Sequence, residues 1–209
     1  DLIMRAISFV FKAAIFSLIC TALYQEIFAD GVLIKGALYY FTIQSNILAA
    51  FSLLLFMLTP IRGRLKCFAR GITLLAITLT AIVYNFVLYN IFIDWGTVGY
   101  TFSRTVTHVI APIGFSLDWL LFDKHNVMKW KDVTIWLVYP TVYSIVSLYL
   151  GFRYRVSIYF FFNINNGYGT TIKWISILFG VLLLIGFLYV GIDKLSVQSS
   201  LFDDRGEHI

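Results

Sequence analysis

Gly36-Ala-Leu-Tyr-Tyr-Phe-Thr-Ile-Gln-Ser-Asn-Ile-Leu-Ala-Ala-Phe-Ser-Leu-Leu-Leu-Phe-Met-Leu-Thr-Pro-Ile61 runs without a single charged side chain. A helix needs about 20 apolar residues to cross the ~30 Å hydrocarbon core of a bilayer. This stretch meets that length, and so do 71–93, 133–152 and 174–192. Two further stretches carry charges near their ends. Residues 6–28 include Lys12 and Glu26, and residues 100–122 include Arg104 and Asp118. Lys12 and Glu26 lie near opposite ends, where a long side chain can snorkel toward water.

Of the 209 residues 60% are apolar and 13% charged, about half the charge of an ordinary soluble domain. The runs are apolar on all sides, whereas spanning strands alternate polar and apolar residues. The reading is an all-α membrane protein, a single integral domain over 1–209. Its six transmembrane helices are expected at about 6–28, 38–60, 70–93, 101–122, 132–151 and 171–192. No small-x-small cleavage site follows 6–28 cleanly, so that segment reads as a retained first helix. Asp1 is not expected to be the native start.

Basic residues set the orientation. Eleven (Arg5, Lys12, Arg62, Arg64, Lys66, Arg70, Lys124, Lys129, Lys131, Lys194 and Arg205) fall on one side and five (Lys35, Arg104, Arg153, Arg155 and Lys173) on the other. The positive-inside rule then places both termini in the cytoplasm. The net charge of +5 reports topology and lipid headgroups, and nucleic acid is not among the expected partners. Cys20 within the first helix and Cys67 in the 61–70 loop stand on the order of 20 Å apart, beyond disulfide reach. Two cysteines and three histidines form no metal-ligand spacing. No metal or cofactor is expected.

Polar groups at depth carry the functional signal. On the second helix Thr42, Ser45 and Asn46 share a face at i, i+3, i+4 spacing. Small polar residues of this kind also serve as interhelical glue. On the fourth helix Arg104, His108 and Pro112 form a stripe, with His108 ~10 Å below the outer end. Ionisable groups within the membrane are costly and mark functional sites. Thr42 and His108 lie at nearly matching depth and supply the two parts of a nucleophile–base pair. Pro112 frees the carbonyl of residue 108. Asn85, Tyr89, Tyr143, Ser144 and Ser147 fall in the same slab. Asn85 or Tyr143 could donate to an oxyanion, and packing accounts for them equally well. Asp118 lies ~15 Å further in and cannot orient His108, so it is expected to pair with cytoplasmic lysines or arginines. The 152–170 connection joins an aromatic strip to an Asn/Gly turn cluster. It reads either as an interfacial lid over the outer mouth or as a loop packed on helix ends.

Tyr40-Phe-Thr42-Ile-Gln-Ser-Asn46, Thr107-His108-Val-Ile-Ala-Pro112 and Asp118-Trp119 resemble segments of the androgen-induced protein (FAR-17a) family and its bacterial six-span relatives. The resemblance implies six helices and a threonine hydrolase that cleaves fatty-acid esters of hydroxy fatty acids. It places the nucleophile on Thr42 and the base on His108. Ser45, Asn46, Asn85, Tyr143 and Arg104 remain substrate-binding or oxyanion candidates. The expected function is an intramembrane lipid ester hydrolase. The alternative is a lipid-binding or transport protein using the same pocket without catalysis. The expected setting is a bacterial cell membrane, with lipid or fatty-acid ester as substrate. The Phe, Ile, Tyr and Lys content fits a low-GC bacterium.

Overall fold

The computed structural model describes residues 2–89, 99–155 and 157–196. Six helices in it are long and apolar enough to cross a membrane: α1 (Leu2–Ile27), α2 (Phe41–Leu58), α3 (Gly63–Leu88), α4 (Phe102–Phe122), α5 (Asp132–Tyr154) and α6 (Tyr168–Leu195). A short hairpin, β1 (Phe28–Ala29) with β2 (Val32–Leu33), joins α1 to α2. Its turn residues Asp30 and Gly31 both have positive φ, the type I′ geometry that Asp-Gly favours. The hairpin qualifies the all-α expectation.

The helix bounds differ from the sequence reading where local chemistry overrides hydropathy. The third helix begins at Gly63, so Arg64, Lys66, Cys67 and Arg70 stand on α3 and not in a loop. The expected end of this helix at 93 lies outside the described residues. The last helix extends beyond 171–192 at both ends. Helix formation does not stop where apolarity stops, because charged residues with good helix propensity continue it.

The core joins α1 to α2, α2 to α3, and α4 to both α1 and α3, while α6 leans on α3. Leu53, Leu74, Leu75, Ile77, Phe115 and Trp136 are sealed within it. Helix approach is closest where Gly71 meets Trp136: a Cβ there would stand 2.0 Å from the indole ring. Large apolar side chains such as Phe51, Val146, Leu184 and Leu188 face outward, as lipid-facing positions would. Hydroxyl pairs bridge α2 and α3, Ser45 with Thr80 at 2.8 Å and Ser52 with Thr73 at 2.9 Å.

At the end of the bundle opposite Thr42, charges are buried together. Lys12 does not snorkel; it is 6% exposed and meets Asp118 at 2.8 Å. Arg70 bonds both Asp118 and Asp123 at 2.8 Å, and Lys66 bonds Asp123 at 2.8 Å. Phe56 and Phe115 sandwich the Arg70 guanidinium. Burial alone would raise the Asp123 carboxyl, but Arg70 and Lys66 outweigh it and hold the group below the usual carboxylate range. These pairs tie α1, α3 and the end of α4 into one unit, in line with the pairing expected for Asp118.

Candidate active site

The chain of causes begins at Pro112. Proline has no N–H to donate, so carbonyls in the preceding turn lose their helical partner. Around this position α4 loosens into a π-helical turn, Val106–Ile110, in which the Ala111 N–H bonds the Val106 carbonyl five residues back. Such turns leave carbonyls to be satisfied from elsewhere, and they recur at functional sites.

Two asparagines answer them. Asn46 Nδ2 on α2 donates to the Thr107 carbonyl at 3.1 Å, and Asn85 Nδ2 on α3 donates to the His108 carbonyl at 3.1 Å. Asn46 Nδ2 also reaches the Thr42 carbonyl at 2.9 Å. Asn85 Oδ1 accepts from the Tyr100 hydroxyl. Both residues therefore pin α4 to its neighbours, and neither amide N–H points free toward a substrate. Ser45 is held likewise, by the Thr42 carbonyl at 3.0 Å and by Thr80. Tyr143 donates to the Tyr39 carbonyl at 2.8 Å, and Arg104 reaches the Gly99 carbonyl at 3.4 Å.

The π turn aims His108 at Thr42. Thr42 Oγ1 lies 3.3 Å from His108 Nε2, although the two residues come from α2 and α4. The imidazole is 6% exposed and stacks on Tyr84, with ring centroids 3.7 Å apart. Its Nδ1 faces two acceptors, the Arg104 carbonyl at 3.0 Å and Thr107 Oγ1 at 3.0 Å. The Thr107 hydroxyl has spent its own proton on the Ser103 carbonyl at 2.9 Å. Nδ1 must then carry the hydrogen, which leaves the lone pair on Nε2 facing Thr42. A backbone carbonyl and a threonine thus do the orienting that an acid does in a Ser-His-Asp triad. Asp118 has no part in it.

Beyond Thr42 opens a cleft of about 570 Å³, its mouth included, walled by α2, α3, α5, α6 and the 159–162 strip. Its lining is aliphatic and aromatic apart from the hydroxyls of Thr42, Thr80, Tyr84, Tyr143, Ser144 and Tyr159; among the described residues no charged side chain lines it. The strip carries a short 3-10 turn, Phe160–Phe162, whose Phe161 and Phe162 are buried. It packs on α5 and α6 and closes one side of the cleft.

Tyr159 is the site residue that the sequence reading passed over. It shares the cleft wall with Phe41 and Thr42, and the Thr42 side chain and the Phe41 and Thr42 amides stand near enough to its phenol to oppose the effect of burial on it. Burial raises the phenol above its ordinary value, which keeps it protonated and able to donate. The only advance signal was its place in the aromatic strip. Thr107 was missed because i, i+1 neighbours on a regular α-helix do not face each other; the π turn changes that.

No family model, curated protein or solved structure matches this chain.

The asparagine pins carry a test. Asn85→Leu leaves the buried His108 carbonyl unpaired, at a cost of about 1–3 kcal/mol. The expected result is a lower melting temperature in detergent and a displaced His108 ring, read from the loss of its ring-current shift against Tyr84.

Proposed function

We propose that this protein is an intramembrane lipid ester hydrolase with Thr42 as nucleophile and His108 as base. The observation that carries the reading is the 3.3 Å approach of Thr42 Oγ1 to a His108 Nε2 whose other nitrogen is fixed by two acceptors. A helix pair held together by glue alone has no need for a tautomer-fixed imidazole aimed at a hydroxyl on the wall of a cleft. The resemblance to the androgen-induced protein family supports the same assignment.

In this mechanism an ester enters with its acyl chain in the apolar cleft. Thr42 Oγ1 attacks the carbonyl carbon as its proton passes to His108 Nε2. The tetrahedral adduct collapses, the C–O bond to the alcohol breaks, and the leaving alkoxide takes the proton from His108. Water then attacks the acyl-threonine and gives a proton to His108. The fatty acid departs, and that proton returns to Thr42. Because no charged side chain among the described residues lines the cleft, the arm bound there should be uncharged. An ester whose acyl chain ends in a second carboxylate should be a poor substrate, since a bare charge cannot be desolvated there without a partner.

The test is covalent. Purified protein in detergent or bilayer should hydrolyse long-chain esters, and a long-chain alkyl fluorophosphonate should label it at Thr42, located by mass spectrometry. A chain that binds lipid without labelling or hydrolysis would be the non-catalytic binder instead.

The same reading places the eleven-residue basic side in the cytoplasm of a bacterial cell and the dyad in the outer leaflet. In a background with Cys20 and Cys67 replaced by serine, a cysteine at exposed Arg62 should react with an impermeant thiol reagent only from the cytoplasmic face. One at exposed Asn166 should react only from outside. Labelling of both from one face would reject the topology.

A further inference from the structure

We infer that the Tyr159 hydroxyl and the backbone N–H groups opening α2 together form the oxyanion hole of this site, an inference that rests on the ester-hydrolase reading.

A threonine attack moves an electron pair onto the carbonyl oxygen. That oxygen must meet donors about 3 Å away, in a place where water does not compete. The start of α2 provides two. The first bond along this helix runs from the Gln44 N–H to the Tyr40 carbonyl, and no side chain caps the turn. The amides of Phe41 and Thr42 therefore have no acceptor within the helix. They also sit at its positive end, which favours a developing negative charge. Thr42 is the second residue of α2, so the nucleophile and these donors share one turn.

Tyr159 arrives from another part of the chain and lines the same cleft as Phe41 and Thr42, its phenol near the Thr42 side chain and both amides. Its ring is already anchored, stacked on Phe161 at 4.9 Å and edge-on to Tyr40 at 5.8 Å. Packing thus accounts for the ring. It does not account for a phenol standing beside a hydroxyl and two amides that lack a helical acceptor, on the wall of an apolar cleft. The other candidates are already engaged: Asn85 holds the His108 carbonyl and Tyr143 the Tyr39 carbonyl. In the attack, the Thr42 Oγ1–carbon bond forms, the carbonyl π bond breaks, and its electron pair settles on the oxygen held by Tyr159 and the amides. On collapse that pair re-forms the carbonyl, and the hydrogen bond relaxes without transfer of the phenolic proton.

The experiment measures steady-state hydrolysis of a long-chain ester by wild type, Tyr159→Phe and Thr42→Ala, together with inhibition by a long-chain trifluoromethyl ketone. Such a ketone adds to the nucleophile and presents a true oxyanion. Tyr159→Phe should lower kcat about 100-fold or more, the usual loss of one oxyanion donor, with KM little changed. The ketone should weaken in parallel with kcat/KM. Replacing Tyr159 by a ring-fluorinated tyrosine keeps its shape and alters only its acidity. It should change kcat and ketone affinity, which a packing role would leave alone, and it serves if the phenylalanine variant does not fold. Unchanged or raised activity in Tyr159→Phe, with Thr42→Ala inactive, would overturn the role of Tyr159 and leave the hydrolase standing. Wild-type protein that neither hydrolyses esters nor takes a fluorophosphonate would overturn both.

Discussion

Thr42→Ala and His108→Ala should each reduce ester hydrolysis to background, and the double variant should be scarcely worse than either. In the proposed mechanism the two side chains act as one unit: without the imidazole the hydroxyl keeps its proton, and without the hydroxyl the imidazole has nothing to activate. Losses in such units are strongly non-additive, and single removals in a hydrolytic triad cost as much as 10⁶-fold. Thr42→Ser keeps the oxygen but loses the β-methyl that limits its rotamers, so partial activity should remain. Ser45→Ala should leave the chemistry intact, because the Ser45 hydroxyl bonds to the Thr42 carbonyl and Thr80, away from His108. The measurements are kcat, KM and probe labelling in detergent or bilayer. A folded Thr42→Ala variant with wild-type turnover would reduce the dyad to an interhelical hydrogen bond.

Asp118→Ala should be among the most destabilising single changes in this chain. Asp118 is fully buried and takes Lys12 on one oxygen and Arg70 on the other. Removing it strands Lys12 in an apolar interior and takes one of the two carboxylates from Arg70, and breaking a buried pair costs about 3–5 kcal/mol. Arg70 retains Asp123, so Lys12 bears most of the loss. Lys12→Met combined with Asp118→Leu should recover much of the stability, since a well-packed apolar pair can match a buried ion pair. Thermal or denaturant unfolding in detergent reads both. The sign for acid follows from Asp123. Its carboxyl is held below the ordinary range in the folded state, so its contribution is complete at neutral pH. That contribution fades as pH falls through the lowered value, beneath the usual ~3.9.

Much of this architecture was readable in advance. Apolar runs, four of them free of charge, found six helices because hydrocarbon thickness sets their length. Thr42 and His108 stood out because polar groups at depth are rare and both fell in one slab. The helix ends were less legible: α3 reaches back to Gly63 through residues that read as a basic loop, because Arg70 is drawn inward by Asp118 and the exposed Arg64 pairs with Asp132, both partners distant in sequence. Lys12 was misjudged for the same reason, as its partner lies on another helix. Asn85 and Asn46 looked like possible substrate contacts; Pro112 marked a freed carbonyl, but nothing in a linear pattern says that these two amides reach the Thr107 and His108 carbonyls. Tyr159 was hidden by register, since which ring of an aromatic strip turns inward depends on the turns that follow it.

Pro112, Asn46 and Asn85 have a bearing on how such a site can change over generations. Each asparagine serves a carbonyl left without a partner by the turn at Pro112, so the three residues on three different helices are worth keeping only as a set. A lineage that replaced the proline would restore the regular turn, rotate the histidine away from the threonine and leave each amide with only the bond to its own helix, Asn46 to the Thr42 carbonyl and Asn85 to the Ala81 carbonyl. A lineage that lost either amide first would carry an unstable helix with no gain. The path away from this arrangement therefore runs through intermediates with an unmatched carbonyl or an unmatched amide, and among descendants the three should be retained together or exchanged together.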